Sequence, residues 1–362
     1  MDSDQLMDFL DREKLLPIIK KNVPVIKKVM KRCLNADDEK VLLIADKGFF
    51  NRRLSPMLTA TYLLAAQELG MEAKVALQEP KNKGEFAEEK ILKALLEQEE
   101  ENIVITNVSI NIGRLTHITK SFRGTMRLKS NKFTSMSSLG ALNNEHYPVV
   151  INAINIDYKK LQSRGKKLKA ILDAGNKVQI KTKAGTNLKM SIKNCEALSN
   201  DGRYDSPGKG GNMPAGEVYI PPLSGSTSGK IVVDGSVRHR KGTILVKEPL
   251  IIKVKKGAII SIKGDIESKI LKETLDWASS RAKKPENVWK IAELGIGINP
   301  NCKIIGQTTI DEKSIGTCHI ANGSNAWFGG DIHSIIHLDH VLRDVTIIVD
   351  GKKIMDDGVP EF

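Results

Sequence analysis

Residues 41–77, VLLIADKGFFNRRLSPMLTATYLLAAQELGMEAKVAL, decide the fold class. The apolar run 41–45 is too short for a helix and has the continuous character of a strand buried on both faces. Pro56 suits the first turn of a helix, the apolar pattern over 58–69 stops at Gly70, and residues 73–77 read as the next strand. Strand, helix, strand in this order implies parallel pairing, because the helix carries the chain back to the starting edge.

Upstream, residues 1–34 read as helical, with Pro17 and Pro24 dividing the segment. Downstream, a charged helix over 85–98 and an apolar strand over 102–108 continue the alternation. These readings predict an N-terminal α/β domain, residues 1–165, with a mainly parallel sheet. After a helix at 158–174 the texture changes. VQIKT (178–182) and LKMSI (188–192) alternate across a short Ala-Gly-Thr-Asn turn, the signature of a hairpin. Further strands at 231–233, 243–246, 251–254 and 258–262, a helix at 266–282, and strands at 288–294, 334–342 and 345–349 follow. The expectation is a C-terminal mixed α/β catalytic domain, residues 166–362, with a β-rich part at about 176–265.

A chain of 362 residues exceeds what one core usually organises, which agrees with two domains. No apolar run is long enough to cross a bilayer, and the acidic start MDSDQLMDFLDREKLL lacks the pattern of a secretory signal, so a cytoplasmic protein with no membrane contact is expected. Cys33, Cys195, Cys302 and Cys318 are scattered, without the pairing of a disulfide framework or a zinc knuckle. The net charge of +13 is spread along the chain. Its densest stretch, Lys159 to Lys169, has no interleaved aromatics and reads as a solvated helix face, which argues against a nucleic-acid partner.

Chemistry concentrates near the C-terminus, where His319, His333, His337 and His340 fall within 22 residues. In IIHLDHVL (335–342), strand alternation puts His337 and Asp339 on one face and His340 on the other, so His337 and Asp339 can share one ion. Glu293 lies in the apolar run VWKIAELGIGI, where a buried carboxylate calls for a compensating cation. Glu217 closes the turn NMPAGE, which can aim its side chain. Glu217, Glu293, His319, His337 and Asp339 together offer five ligands, more than one catalytic zinc takes from protein, and imply two divalent ions, Zn, Co or Mn. Ions a few ångströms apart activate a shared water for attack on a carbonyl.

The segments NMPAGEVYIPP (212–222), AELGIG (292–297), CHIANG (318–323) and SIIHLD (334–339), in this order, resemble the aminopeptidase T family of metallo-aminopeptidases. The resemblance covers roughly residues 170–358. It implies a homodimer that hydrolyses the N-terminal bond of peptides, with two ions held by Glu217, Glu293, His319, His337 and Asp339, and Glu217 is the first choice for the carboxylate that shuttles the proton. Glu312 is held in reserve, although its place in Asp311-Glu312-Lys313 reads as an exposed loop. Cys318 reads as a small buried support, and Gly208, Lys209, Gly210 and Gly211 as a turn.

One departure from that family matters. The tyrosine ligand expected seven residues after the CHIA histidine is replaced by Ala326, followed by Trp327 and Phe328, with His333 the nearest residue to take its role. Proteins of similar fold resemble 2,5-dihydroxypyridine dioxygenases, which hold one non-haem iron. His319, His337 and Asp339 offer the two imidazoles and one carboxylate that suit Fe(II). The sequence thus leads to a two-metal aminopeptidase, with a mononuclear iron dioxygenase acting on a small molecule as the alternative, and a metal-free scaffold that binds an anion as a third class.

Overall fold

The apolar run at 41–45 forms the strand Val41–Asp46, buried at every position. This computed structural model describes residues 3–82, 84–116 and 121–362. The chain falls into two units. One comprises the chain through Tyr158 together with Gly202–Ala215, and the other comprises Lys159–Asp201 together with Gly216–Phe362.

In the first unit, Val41–Asp46 lies between Ala73–Gln78 and Ile103–Asn107, parallel to both. Lys132–Met136 and the short Gly210–Asn212 extend the parallel sheet to five strands. A core of Leu42, Ile44, Ile91, Leu95, Val104, Met126 and Phe133 packs on one side. The helix Leu54–Glu68, buried along most of its length, follows the first strand as the βαβ reading requires. Gly210 needs its missing side chain, since a Cβ there would collide with Phe133. Gly208 and Lys209 form the turn that leads into this edge strand, with Gly208 at φ 70° and Lys209 N donating to Ser206 O.

The N-terminal helices differ from expectation in one respect. The break comes between Ser3–Arg12 and Leu16–Leu34, and Pro24 sits inside the second helix without dividing it. The ring projects to solvent, while Ile19, Val23, Ile26, Val29, Met30 and Cys33 bury the opposite face, and this packing outweighs the lost hydrogen bond.

The second unit contains two antiparallel sheets. The eight-stranded one includes the expected hairpin, Lys177–Lys181 against Asn187–Ser191, and the C-terminal strands Thr346–Val349 and Lys352–Asp356. The seven-stranded one runs Gly242–Leu245, Ser236–His239, His337–Leu342, Cys318–Gly323, Ile291–Gly297, Glu217–Ile220, Leu198–Asn200. The molecule is thus mixed α/β, with one parallel sheet and two antiparallel ones. Among the described residues no helix is long and apolar enough to cross a membrane.

Replacing exposed Pro24 with alanine restores an amide donor without disturbing the buried stripe. The expected result is a gain of up to about 3 kcal/mol, read as a higher denaturation midpoint of the helical signal. An unchanged or lower midpoint would show that the helix gains nothing from the restored bond.

Candidate metal centre

The register of the seven-stranded sheet assembles the site. Glu293 lies opposite Ala321, Gly295 opposite His319, and Gly297 opposite Glu217. Ala321 in turn faces Asp339, and Gly323 faces His337. Since directly paired residues project to the same side and successive residues alternate, all five sequence candidates share one face of four adjacent strands. The other face carries Leu294, Ile296, Cys318, Ile320, Leu338 and Leu342.

The central positions of the site face are small, and neighbouring atoms occupy the room this leaves. A Cβ on Gly295 would occupy the space of the His319 imidazole, so the ring can lie over the strand only because glycine is there. A bulge beside Glu293 interrupts the ladder, with Ile291 rather than Ala292 facing Asn322. The Ala292 carbonyl accepts from Asn325 Nδ2 at 3.0 Å. Bulges re-aim the neighbouring side chain, here the Glu293 carboxylate.

His337 Nε2 lies 3.0 Å from Asp339 Oδ1 and 3.3 Å from Glu293 Oε2. His319 Nε2 lies 3.0 Å from Glu293 Oε1 and 3.8 Å from Glu217 Oε2. Glu293, His337 and Asp339 each bring a ligand atom within 4.8 Å of the other two. Glu217 stands outside that trio. Its Oε1 accepts from Lys313 Nζ at 3.1 Å and from Asn200 Nδ2 at 3.1 Å.

The electrostatics follow from burial. Desolvation, the largest influence on His337, favours its neutral form, but the carboxylates of Asp339 and Glu293 outweigh it and lift the imidazole to about 10. His319 is raised to about 9, with burial again opposed and overcome, this time chiefly by Glu293. Burial pushes Asp339 upward, but the His337 charge and hydrogen bond reverse this and hold it far below the usual carboxylate range. The site favours positive charge between its carboxylates.

Three features fit a divalent cation as that charge. His337 Nδ1 donates to the Ser324 carbonyl at 2.8 Å, which in a neutral ring leaves the Nε2 lone pair facing Glu293 and Asp339. Ligands about 2.1 Å from an ion and at right angles are about 3 Å apart, which matches the two Nε2 to carboxylate distances. Finally, one imidazole and two carboxylates form a nitrogen and oxygen donor set that suits first-row divalent metals.

The remaining candidates separate cleanly. His340 lies on the opposite face, where Nε2 meets Asn322 Oδ1 at 2.8 Å and burial lowers the ring to about 4, the behaviour of a neutral core histidine. His333 is exposed and does not take the place of the missing tyrosine. Cys318 is fully buried, and burial raises its thiol well above the ordinary range, as expected of a packing residue. Glu312 is no exposed loop acid. It is buried because Asp311 accepts from the amides of Ile305 and Gly306 at 2.8 and 3.1 Å and draws the segment inward.

Lys313, which no sequence pattern distinguished, is fully buried between Glu217 and Glu312. Trp327 and Phe328 meet His337 edge-on at 4.8 and 6.2 Å between centroids, and Tyr219 packs on Phe328 at 5.3 Å. The aromatic pair therefore borders the site.

With this geometry in view, the family profile of 2,5-dihydroxypyridine 5,6-dioxygenase, NicX, matches residues 145–361. The chain belongs to the 2,5-dihydroxypyridine 5,6-dioxygenase family. A curated relative, the 2,5-dihydroxypyridine 5,6-dioxygenase of Pseudomonas putida KT2440, is 24% identical over 195 residues, 51% of this chain and 54% of that protein. The match spans about half of the relative's length. The structure titled 2,5-dihydroxypyridine dioxygenase from Pseudomonas putida KT2440 has a TM-score of 0.72 at 17% identity, covering 94% of this chain and 97% of that one. Wild-type AmpT from Thermus thermophilus has a TM-score of 0.62 at 13% identity, covering 95% and 100%. At such identities these two likenesses concern the fold.

The family match overturns the aminopeptidase expectation, and with it the hydrolase and protease readings. The motifs that pointed there lie in a fold that resembles both structures, and a fold does not fix the reaction. The Zn, Co or Mn pair loses its support along with the peptidase.

Gly295→Ala should displace the His319 ring and cost about 1–3 kcal/mol, seen in chemical denaturation. Wild-type stability in this variant would mean that the ring has room to move aside.

A second expectation concerns pH. In the metal-free protein, the contribution of the raised His319 and His337 is complete below their ordinary value of 6.5 and is lost as pH climbs through about 9 to 10. The depressed Asp339 and His340 act oppositely, losing their contributions as pH falls below 3.8 and 6.5 respectively. Thermal midpoints should peak near neutrality and fall toward pH 10, and a flat profile from pH 7 to 10 would contradict the charge arrangement.

Proposed function

We propose that this chain is a mononuclear non-haem iron dioxygenase that opens a hydroxylated aromatic ring of the 2,5-dihydroxypyridine type, the substrate for which its relative is named. The observation that carries the reading is the convergence of Glu293, His337 and Asp339 beside an aromatic border. These three residues would hold the iron, with His319, next to Glu293, as the nearest further donor. Bound Fe(II) would supply the one-electron chemistry that lets oxygen react with a closed-shell ring.

The chain's own residues support this in separable ways. Ser324 O fixes the His337 tautomer, and Asn325 fixes the turn that carries Ser324, since its Oδ1 accepts from Ile332 N at 2.8 Å while its Nδ2 ties the turn to Ala292. Trp327, Phe328 and Tyr219 offer flat apolar surface to a planar ring and limit water beside His337. Ser236 pairs with Val341 and Val237 with His340, so the next step of the register sets Arg238 beside Asp339, whose carboxylate it also stabilises. A guanidinium there favours a substrate bound through a deprotonated hydroxyl or another anionic oxygen.

The test is anaerobic loading of the purified protein with Fe(II), followed by 2,5-dihydroxypyridine and oxygen. One iron per chain, oxygen uptake and loss of the ring absorbance are expected. His337→Ala should weaken iron binding by more than about 100-fold and abolish uptake. Iron-loaded protein that leaves oxygen and the ring unchanged would overturn the assignment of substrate, and failure to retain iron would overturn the metal assignment.

A further inference from the structure

The sequence offers five ligands and implies two ions, yet the structure supplies a cation of its own beside Glu217. Lys313 is 0% exposed, and its ammonium lies 3.1 Å from Glu217 Oε1 and in direct contact with Glu312 Oε1. A buried ammonium is retained only where carboxylates surround it, and a buried carboxylate only where a cation meets it. Lys313, Glu217 and Glu312 satisfy that condition among themselves, and Asn200 takes a further place on Glu217.

We infer that Lys313 is a built-in cation standing where a second metal ion would otherwise bind, so that the centre holds one ion per chain. This rests on the metal site proposed above and deepens it. His319 marks the border between the two halves. Its Nε2 is 3.0 Å from Glu293 in the trio and 3.8 Å from Glu217 in the lysine-bound half. On one side of it the carboxylates of Glu293 and Asp339 have, among the described residues, imidazoles as their cationic partners within 4 Å. On the other, a lysine that no exchange with solvent removes fills the need.

The consequence is a latent dinuclear site. Removing the ammonium while keeping the apolar stem leaves Glu217, Glu312 and the neighbouring His319 as an uncompensated set of two carboxylates and one imidazole, the donor types that attract a divalent ion.

The experiment uses the full chain and Mn(II), counted by elemental analysis and by the electron paramagnetic resonance of the bound ions. Wild type should bind one Mn(II) per chain with a magnetically isolated signal, and Glu217→Gln should also bind one. Lys313→Met should bind two, with the broadened signal of interacting neighbours, and Lys313→Met combined with Glu217→Gln should return to one. Two ions in wild type, loss of an ion on Glu217→Gln, or a single ion in folded Lys313→Met under excess Mn(II) would each overturn the inference. If Lys313→Met does not fold, the counts for wild type and Glu217→Gln decide the matter alone. No bound ion in wild type would instead overturn the metal reading on which the inference rests.

Discussion

Glu217, Glu293, Glu312 and Asp339 lie buried on or beside one face of an antiparallel sheet, and the need to compensate their charge governs everything around them. Carboxylates withdrawn from water cost several kcal/mol each unless cations or strong donors meet them. Here two imidazoles and one ammonium do so, and the unusual proton affinities of His319 and His337 are the direct expression of that field. A divalent ion competes for the same position by displacing a proton, so metal binding and proton binding at this centre are two outcomes of one constraint.

The sheet makes the arrangement affordable through backbone details. Gly295 lets the His319 ring lie flat on the strand, and the bulge before Glu293 turns that carboxylate toward His337. Asn325 links the bulge to the turn that holds Ser324, which sets the His337 tautomer. The candidate ligands thus sit on strands, while the loop at 324–332 fixes the orientation of His337 and carries Trp327 to its edge. Preorganisation of this kind, with rigid first contacts supported by a second layer of hydrogen bonds, is what a reactive metal centre requires.

The same constraint explains why ligand motifs misled the functional reading. Paired histidines and carboxylates at strand spacing report that a cation is wanted, but they do not report how many or for which reaction. That information lies in what borders the set. Around the set stand Ala326, where the peptidase family has tyrosine, a lysine between Glu217 and Glu312, and an aromatic border on His337. Of these, the missing tyrosine and the neighbouring Trp327-Phe328 pair were visible in the linear sequence, whereas the place of Lys313 was not.

Much of the fold was legible because it depends on local periodicity. The strand, helix, strand order from residue 41 onward, the hairpin after 178, and the placement of His337 and Asp339 on one face with His340 on the other all follow from alternation and turn chemistry within a few residues. Pro24 escaped the local rule because burial of the opposite helix face outweighed it. Tertiary structure alone decided that residues 202–215 return to the parallel sheet, that Glu312 is buried, and that Lys313 meets Glu217 across 96 positions of chain. These depend on which strands become neighbours, and a sequence read through its local periodicities carries no signal for a contact whose partners are far apart along the chain.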